Sequence, residues 1–219
     1  SNCSVGGTHY PGSMPTAPIP FPISDTQIAE WETLAAAGGT IPGPYTPSDV
    51  VTLGPVKIDG DLIVTNGATL ILRGPIWVRG DVTFSNNATL LVSPDTGSSG
   101  AIIIADAPGA EATKGLVNIS NNVTINGNGS TNSFPMLVTT NTGSNAVILS
   151  NNSASIIIYA PYGTVDVSNN ANANQITAYH LRMENNSTIS YVSGLQNTSF
   201  SNGPGGSWGV LPGTYVIRQ

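Results

Sequence analysis

From Gly54 onward, apolar and polar residues alternate along the chain. Val56, Ile58, Leu62, Val64, Ala68, Leu70 and Leu72 share one parity, and Lys57, Asp59, Asp61, Thr65, Thr69 and Arg73 share the other. A period of two places the two sets on opposite sides of extended strands, with the apolar set turned inward. Residues 54–73, GPVKIDGDLIVTNGATLILR, then align without gaps on residues 74–93, GPIWVRGDVTFSNNATLLVS, with eight identities. The second copy turns Ile76, Val78, Val82, Phe84, Ala88, Leu90 and Val92 inward. A repeat of about twenty residues corresponds to one coil of a β-solenoid. The expected fold is all-β, a right-handed parallel β-helix, with the hand taken from the general preference of parallel crossovers.

Asn66 and Asn86 interrupt the apolar parity. A buried amide without partners costs about 1–3 kcal/mol, but amides stacked one coil above another can bond to each other. The motif returns as Ser-Asn-Asn at 120–122, 150–152 and 168–170 and as Glu-Asn-Asn at 184–186. The pattern predicts a ladder of Asn66, Asn86, Asn121, Asn151, Asn169 and Asn185 at one corner, the first Asn of each pair pointing in and the second out. After Asn86 the spacing varies, so the longer intervals must hold loops such as Pro94–Gly100 and Asp106–Gly115, and extra strands over Ala101–Ala105 and Met136–Thr140.

Residues 1–23 read as an extended, Pro- and Gly-rich opening segment, ending in Pro18-Ile19-Pro20-Phe21-Pro22. Residues 24–219 read as a single solenoid domain, with coils over about 50–219. Ser24 and Gln27 have capping-box spacing. Ile28, Trp31, Leu34 and Ala35 follow on one helical face, and Gly38-Gly39 ends the run. A short capping helix over about 25–37 is expected, and the open N-terminal end of the stack is the natural surface for its apolar face.

Composition narrows the function. Charged residues are 8 % of the chain against roughly 25 % in soluble proteins generally, and 22 asparagines with many Ser, Thr and Gly supply polarity instead. A net charge of −6 with six Lys and Arg argues against a nucleic-acid surface. No apolar run approaches the ~20 residues of a membrane span, so no membrane contact by this segment is expected, although an anchoring helix upstream of Ser1 is compatible with the sequence. Cys3 has no second cysteine to pair with. Asn-x-Ser/Thr triplets such as Asn87-Ala88-Thr89 follow from composition and are not read as glycosylation sites.

Asp61 and Asp81 fall at one repeat position and should stack ~4.8 Å apart. Such a pair could bind Ca²⁺ or carry acid–base chemistry, as in β-helical polysaccharide lyases and hydrolases. The competing reading is Gly-Asp turn capping. Asp59 and Arg79 are in register for a surface ion pair. Lys57 could be cast as a lyase base, but its counterpart one coil on is Trp77. His180 and His9 have no matching nucleophile motif. Tyr159, Tyr162, Tyr179, Tyr191 and Trp208 gather late in the chain, either as a sugar-stacking platform or as a seal over the last coils. Beyond the Ca²⁺ alternative no cofactor is indicated.

One ordered set of motifs resembles a known family. Pro22-Ile23-Ser24-Asp25 opens a short helix, repeats carrying Gly60-Asp61-Leu62 follow, then Ile157-Ile158-Tyr159-Ala160-Pro161-Tyr162-Gly163 with a Ser-Asn-Asn coil, and finally Ile189-Ser190-Tyr191 with Gly194-Leu195. From about residue 18 this order resembles the C-terminal β-solenoid domain of bacterial type IV pilus-assembly-associated surface proteins, in which a pilin-like hydrophobic helix precedes the domain. The resemblance implies an extracellular or bacterial cell-surface location and a structural or adhesive role, with other surface or pilus proteins or glycans as partners. It supplies no catalytic residues. The alternative is a carbohydrate-active β-helix enzyme or polysaccharide-binding module built on Asp61, Asp81 and the aromatics.

Overall fold

The computed structural model describes residues 21–153 and 156–190. Helix α1 (Asp25–Ala37) begins where the capping signal places it: the Gln27 amide donates to Ser24 Oγ at 3.2 Å, and Ile28 N donates to the Ser24 carbonyl at 3.1 Å. Strands β1 (Thr40–Pro42) and β2 (Val50–Leu53) open the stack. The first full coil is β3 (Val56–Asp59), β4 (Leu62–Val64) and β5 (Thr69–Leu72), and the second is β6 (Ile76–Val78), β7 (Val82–Ser85) and β8 (Thr89–Val92). Next come β9 (Ala101–Ala105), β10 (Val117–Ser120) and β11 (Thr124–Asn126), then β12 (Pro135–Thr139) and β13 (Val147–Leu149). The long β14 (Ile157–Val167) with β15 (Asn172–Ala173), and β16 (Gln175–Met183) with β17 (Thr188–Ile189), complete the described coils.

The strand pairs are parallel, and the hand is right-handed, as expected. Val56 pairs with Ile76, Leu62 with Val82 and Thr69 with Thr89, so the twenty-residue sequence repeat is the physical coil. The strands stack into three faces. The first runs β1-β3-β6-β9-β12-β14-β16, the second β4-β7-β10-β13 into the far half of β14 and β16, and the third β2-β5-β8-β11 with the separate pair β15-β17. The first two faces join in one sheet because β14 runs through both, with an irregularity between Ala160 and Thr164. The alternation read from sequence is the core: Ile58, Leu62, Val64, Leu70 and Leu72 and their partners Val78, Val82, Phe84 and Leu90 are fully buried.

The asparagine ladder is present, but it lies outside the core. Asn66, Asn86, Asn121, Asn151, Asn169 and Asn185 are all exposed, which corrects the inward orientation expected from parity. The reason is backbone conformation. Both residues of each Asn pair adopt positive φ, for example 53° and 63° at Asn86 and Asn87 and 64° and 62° at Asn121 and Asn122. Two successive left-handed residues turn the chain sharply and swing both side chains outward, where period-two counting no longer applies. Asn tolerates this region because its short amide can bond locally. In the first coil Gly67, at φ 80°, takes the second position.

Two sets of hydrogen bonds join these turns. The amide of the second residue donates to the carbonyl of the first residue one coil on: Gly67 to Asn86 at 3.0 Å, Asn87 to Asn121 at 3.0 Å, Asn122 to Asn151 at 2.9 Å, Asn152 to Asn169 at 3.1 Å and Asn170 to Asn185 at 3.0 Å. The side chains bond in the opposite direction. Asn121 Nδ2 donates to Asn86 Oδ1 at 3.1 Å, Asn151 to Asn121 at 2.9 Å and Asn185 to Asn169 at 3.0 Å.

The capping helix has the bounds expected of it and covers the side of the stack instead of its open end. Ile28 and Trp31 pack, with Ile23, on Ile102, Ile104, Met136, Val138, Ile157 and Tyr159, the outward residues of β9, β12 and β14. At β9 and β12 that face is therefore apolar on both sides, and all five residues of each strand are buried. The loops at 94–100 and 106–115 and the strands β9 and β12 fall where the long intervals required them.

Asn121 separates the two contributions to the ladder. We expect Asn121→Leu to lose about 2 kcal/mol, from left-handed strain of about 1–2 kcal/mol plus lost amide bonds, while Asn121→Gly loses about 1 kcal/mol, from the amide bonds alone. Thermal or urea unfolding of the two variants measures this, and equal midpoints for Leu and wild type would remove the corner from the account of stability.

Candidate functional site

Asp61 and Asp81 stack at the corner between the first and second faces, and each carboxylate is engaged by the next coil. Asp61 Oδ1 accepts the Asp81 amide at 2.9 Å, and Asp81 Oδ1 accepts the Leu116 amide at 3.1 Å. Lys114 Nζ bridges the pair, 3.4 Å from Asp61 Oδ1 and 3.3 Å from Asp81 Oδ2. The hydrogen bond and charge of Asp81, then those of Asp61, hold the ammonium above its usual pKa. The loop carrying Lys114 is tied down from β12 and just beyond it: Thr139 Oγ1 donates to the Gly115 carbonyl at 2.5 Å and Asn141 Nδ2 to the Lys114 carbonyl at 2.8 Å. The turn-capping reading of Gly-Asp describes this corner. Among the described residues, no three His, Cys, Asp or Glu side chains group as they would around a metal ion.

The other sequence-derived positions resolve as follows. Arg79 Nη1 lies 3.5 Å and Lys57 Nζ 3.7 Å from Asp59 Oδ1, and both cations sit over the Trp77 ring, at 6.0 and 5.0 Å from its centre. Lys57 is thus part of a surface cation–π cluster. Tyr159 is 2 % exposed and its hydroxyl donates to the Ile23 carbonyl at 2.5 Å. Tyr162 donates to Asp25 Oδ1 at 2.5 Å. These two rings pin the helix and the segment before it, and Tyr159 has no open face for a sugar. Burial pushes the Tyr159 phenol up to about 12, and the bond to Asp25 does the same for Tyr162, so both remain donors. Tyr179 is exposed and packs edge-on against His180, ring centres 4.5 Å apart. Cys3, His9, Tyr191 and Trp208 lie outside the described residues.

A cleft of about 350 Å³ between α1 and the stack was not expected from sequence. Asp25 and Glu32 line it from the helix, and Asp106, Glu111, Thr140 and Tyr162 from the coils. Asp106 follows β9 directly and is nearly buried. Thr140 Oγ1 donates to its carboxylate, and Trp77 Nε1 donates to its carbonyl at 3.0 Å. Glu32 meets Asp106 side chain to side chain, and burial, then that contact and the charge of Asp106, push its pKa up to about 8. Glu32 Oε1 is buried, with no donor among the described residues. With a proton on Glu32, the two carboxyl groups share a hydrogen bond. Glu111 Oε1 accepts the Gly109 amide at 2.8 Å, and these backbone N–H bonds lower its pKa.

No family model, no curated protein and no solved structure matches this chain. The arrangement of its own residues therefore carries the functional argument.

The Asp61 corner leaves no room for a side chain at the stacked glycine. A Cβ at Gly80 would meet Asp61 Oδ1 at 2.3 Å and the Gly60 carbonyl carbon at 2.7 Å. We expect Gly80→Ala to destabilise by about 1–3 kcal/mol. Lys114→Met, at a largely exposed ammonium, should cost under about 1 kcal/mol. Calorimetric unfolding of both variants tests the ranking, and a larger loss for Lys114→Met would show that the ion pair, not the close approach, holds the corner.

Proposed function

We propose that this chain is an extracellular structural or adhesive module, bacterial cell-surface or pilus-associated and non-catalytic, which works by rigid display. The observation that carries the reading is that the polar columns with chemical potential are spent between coils: each Asp at 61 and 81 caps the next coil, and each asparagine turn bonds to its neighbour. Side chains committed in this way hold a surface in place. The helix covers only the first face. The outward side of the second carries Ile63, Thr83, Asn118 and Ile148 in register, and that of the third carries Thr69, Thr89 and Thr124. These are flat ranks of short polar and aliphatic groups with few charges, suited to a protein or glycan partner. The ordered motifs resembling pilus-assembly-associated proteins support a cell-surface setting.

A carbohydrate-active reading draws on the cleft at Glu32 and Asp106, where two carboxyl groups meet. Glycoside hydrolysis places its two carboxyl groups about 5 Å or more apart, on either side of the scissile bond. Here both line one cleft, close enough to share a hydrogen bond, which favours the structural reading.

A glycan-array and polysaccharide-depolymerisation screen, run with and without Ca²⁺, separates the two. The expected outcome is no cleavage, and no Ca²⁺-dependent binding that Asp61→Asn or Asp81→Asn removes. Turnover of any polysaccharide, or Ca²⁺-dependent binding lost in those variants, would replace display with carbohydrate chemistry.

A further inference from the structure

Helix α1 is held to the solenoid in two different ways. Ile28 and Trp31 sit on the apolar outward residues of β9, β12 and β14, an attachment indifferent to pH. At its border the helix presents Glu32 to Asp106 across the cleft. Two carboxyl groups in contact cannot both stay ionised without strong repulsion, and among the described residues neither forms an ion pair that would offset it. Thr140 supplies one hydroxyl to Asp106, and no described residue donates to Glu32 Oε1.

We infer that Glu32 and Asp106 form a proton-held latch that fastens α1 over the apolar side of the solenoid and loosens when the shared proton is lost. The groups facing the pair reinforce this direction. From the helix comes Asp25, from the loop after β9 comes Glu111, and from β14 comes Tyr162. Glu111 is kept anionic by the Gly109 amide, and Tyr162 stays a neutral phenol bonded to Asp25. The surroundings are acidic and favour retention of the proton.

The sign follows from linkage. Glu32 titrates higher in the folded chain, at about 8, than its ordinary value of 4.5. The folded state therefore binds the extra proton between those limits. The contribution of the latch is complete below the ordinary value and is lost as pH rises through about 8. The helix is held most firmly in acid. The Tyr159 and Tyr162 bonds to the start of the helix persist across this range, so release begins at Glu32, one to two turns further along.

Amide hydrogen exchange of residues 25–37 between pH 6 and 9, corrected for intrinsic rates and referenced to β5 and β8, reads the latch directly. In the wild type we expect helix protection to fall about tenfold or more across that range while the core strands hold. Glu32→Gln supplies a permanent donor to Asp106 and should flatten the profile, and Asp106→Asn should do the same from the other side. A flat wild-type profile, or variants that keep the full wild-type slope, would overturn the latch. Because Asp106→Asn retains the helix sequence, it keeps the test intact if Glu32→Gln fails to fold.

Discussion

Everything in this solenoid depends on one turn being made in the same way, at the same place, in every coil. Two consecutive residues with positive φ are unfavourable for most side chains, and here they recur from Asn66-Gly67 to Asn185-Asn186. Once that corner is set, backbone amides and carbonyls of successive turns meet at 2.9–3.1 Å, and the strands before and after it are brought into parallel register. The core follows as a consequence. Phe84 above Val64, and Leu90 above Leu70, are aligned because the turn between them is aligned. The amide ladder is the visible sign of the constraint, and the backbone ladder beneath it is what transmits register from coil to coil.

The second organising feature is unequal coverage. A sheet with water on one side alternates apolar and polar residues, whereas a sheet covered on both sides reads as a continuous apolar run. β3 to β5 show the first pattern, and β9 (AIIIA) and β12 (PMLVT) the second. Ile28 and Trp31 of the helix lie where the continuous runs are, and the helix also reaches β3 and β6. Its attachment combines a broad apolar contact with a small acidic junction. The apolar part supplies most of the hold, and the acidic part, by placing two carboxyl groups in contact, introduces dependence on the medium into an otherwise inert stack.

Much of this was legible from the chain alone. The inward residues of the two repeats, the coil length, the helix bounds and the strands hidden in the long intervals all follow from periodicity and capping chemistry, which are local. The asparagines were placed at the right corner and pointed the wrong way, because counting by twos assumes extended backbone and fails across two left-handed residues. Lys114 was missed since it sits in an insertion whose length conceals its register, and bonds from Thr139, Asn141 and the Leu116 amide help hold it at Asp61 and Asp81. Glu32 and Asp106 are separated by the opening strands, two full coils and β9, and no local pattern joins them. The resting place of the helix did leave a trace: the unbroken run Ala101–Ala105 announces a second covering layer, and α1 supplies it.

The coils differ greatly in length, and the difference is confined to two of the three corners. Ten residues at 106–115 and seven at 94–100 are accommodated there, while the asparagine corner never lengthens in the described coils. Lengthening a loop costs little, roughly 0.6 kcal/mol for each doubling, so these two edges tolerate grafted sequence while the third keeps the pitch. Such a scaffold can diversify along two seams without losing its axis. Variation in what it touches can therefore accumulate independently of what holds it together.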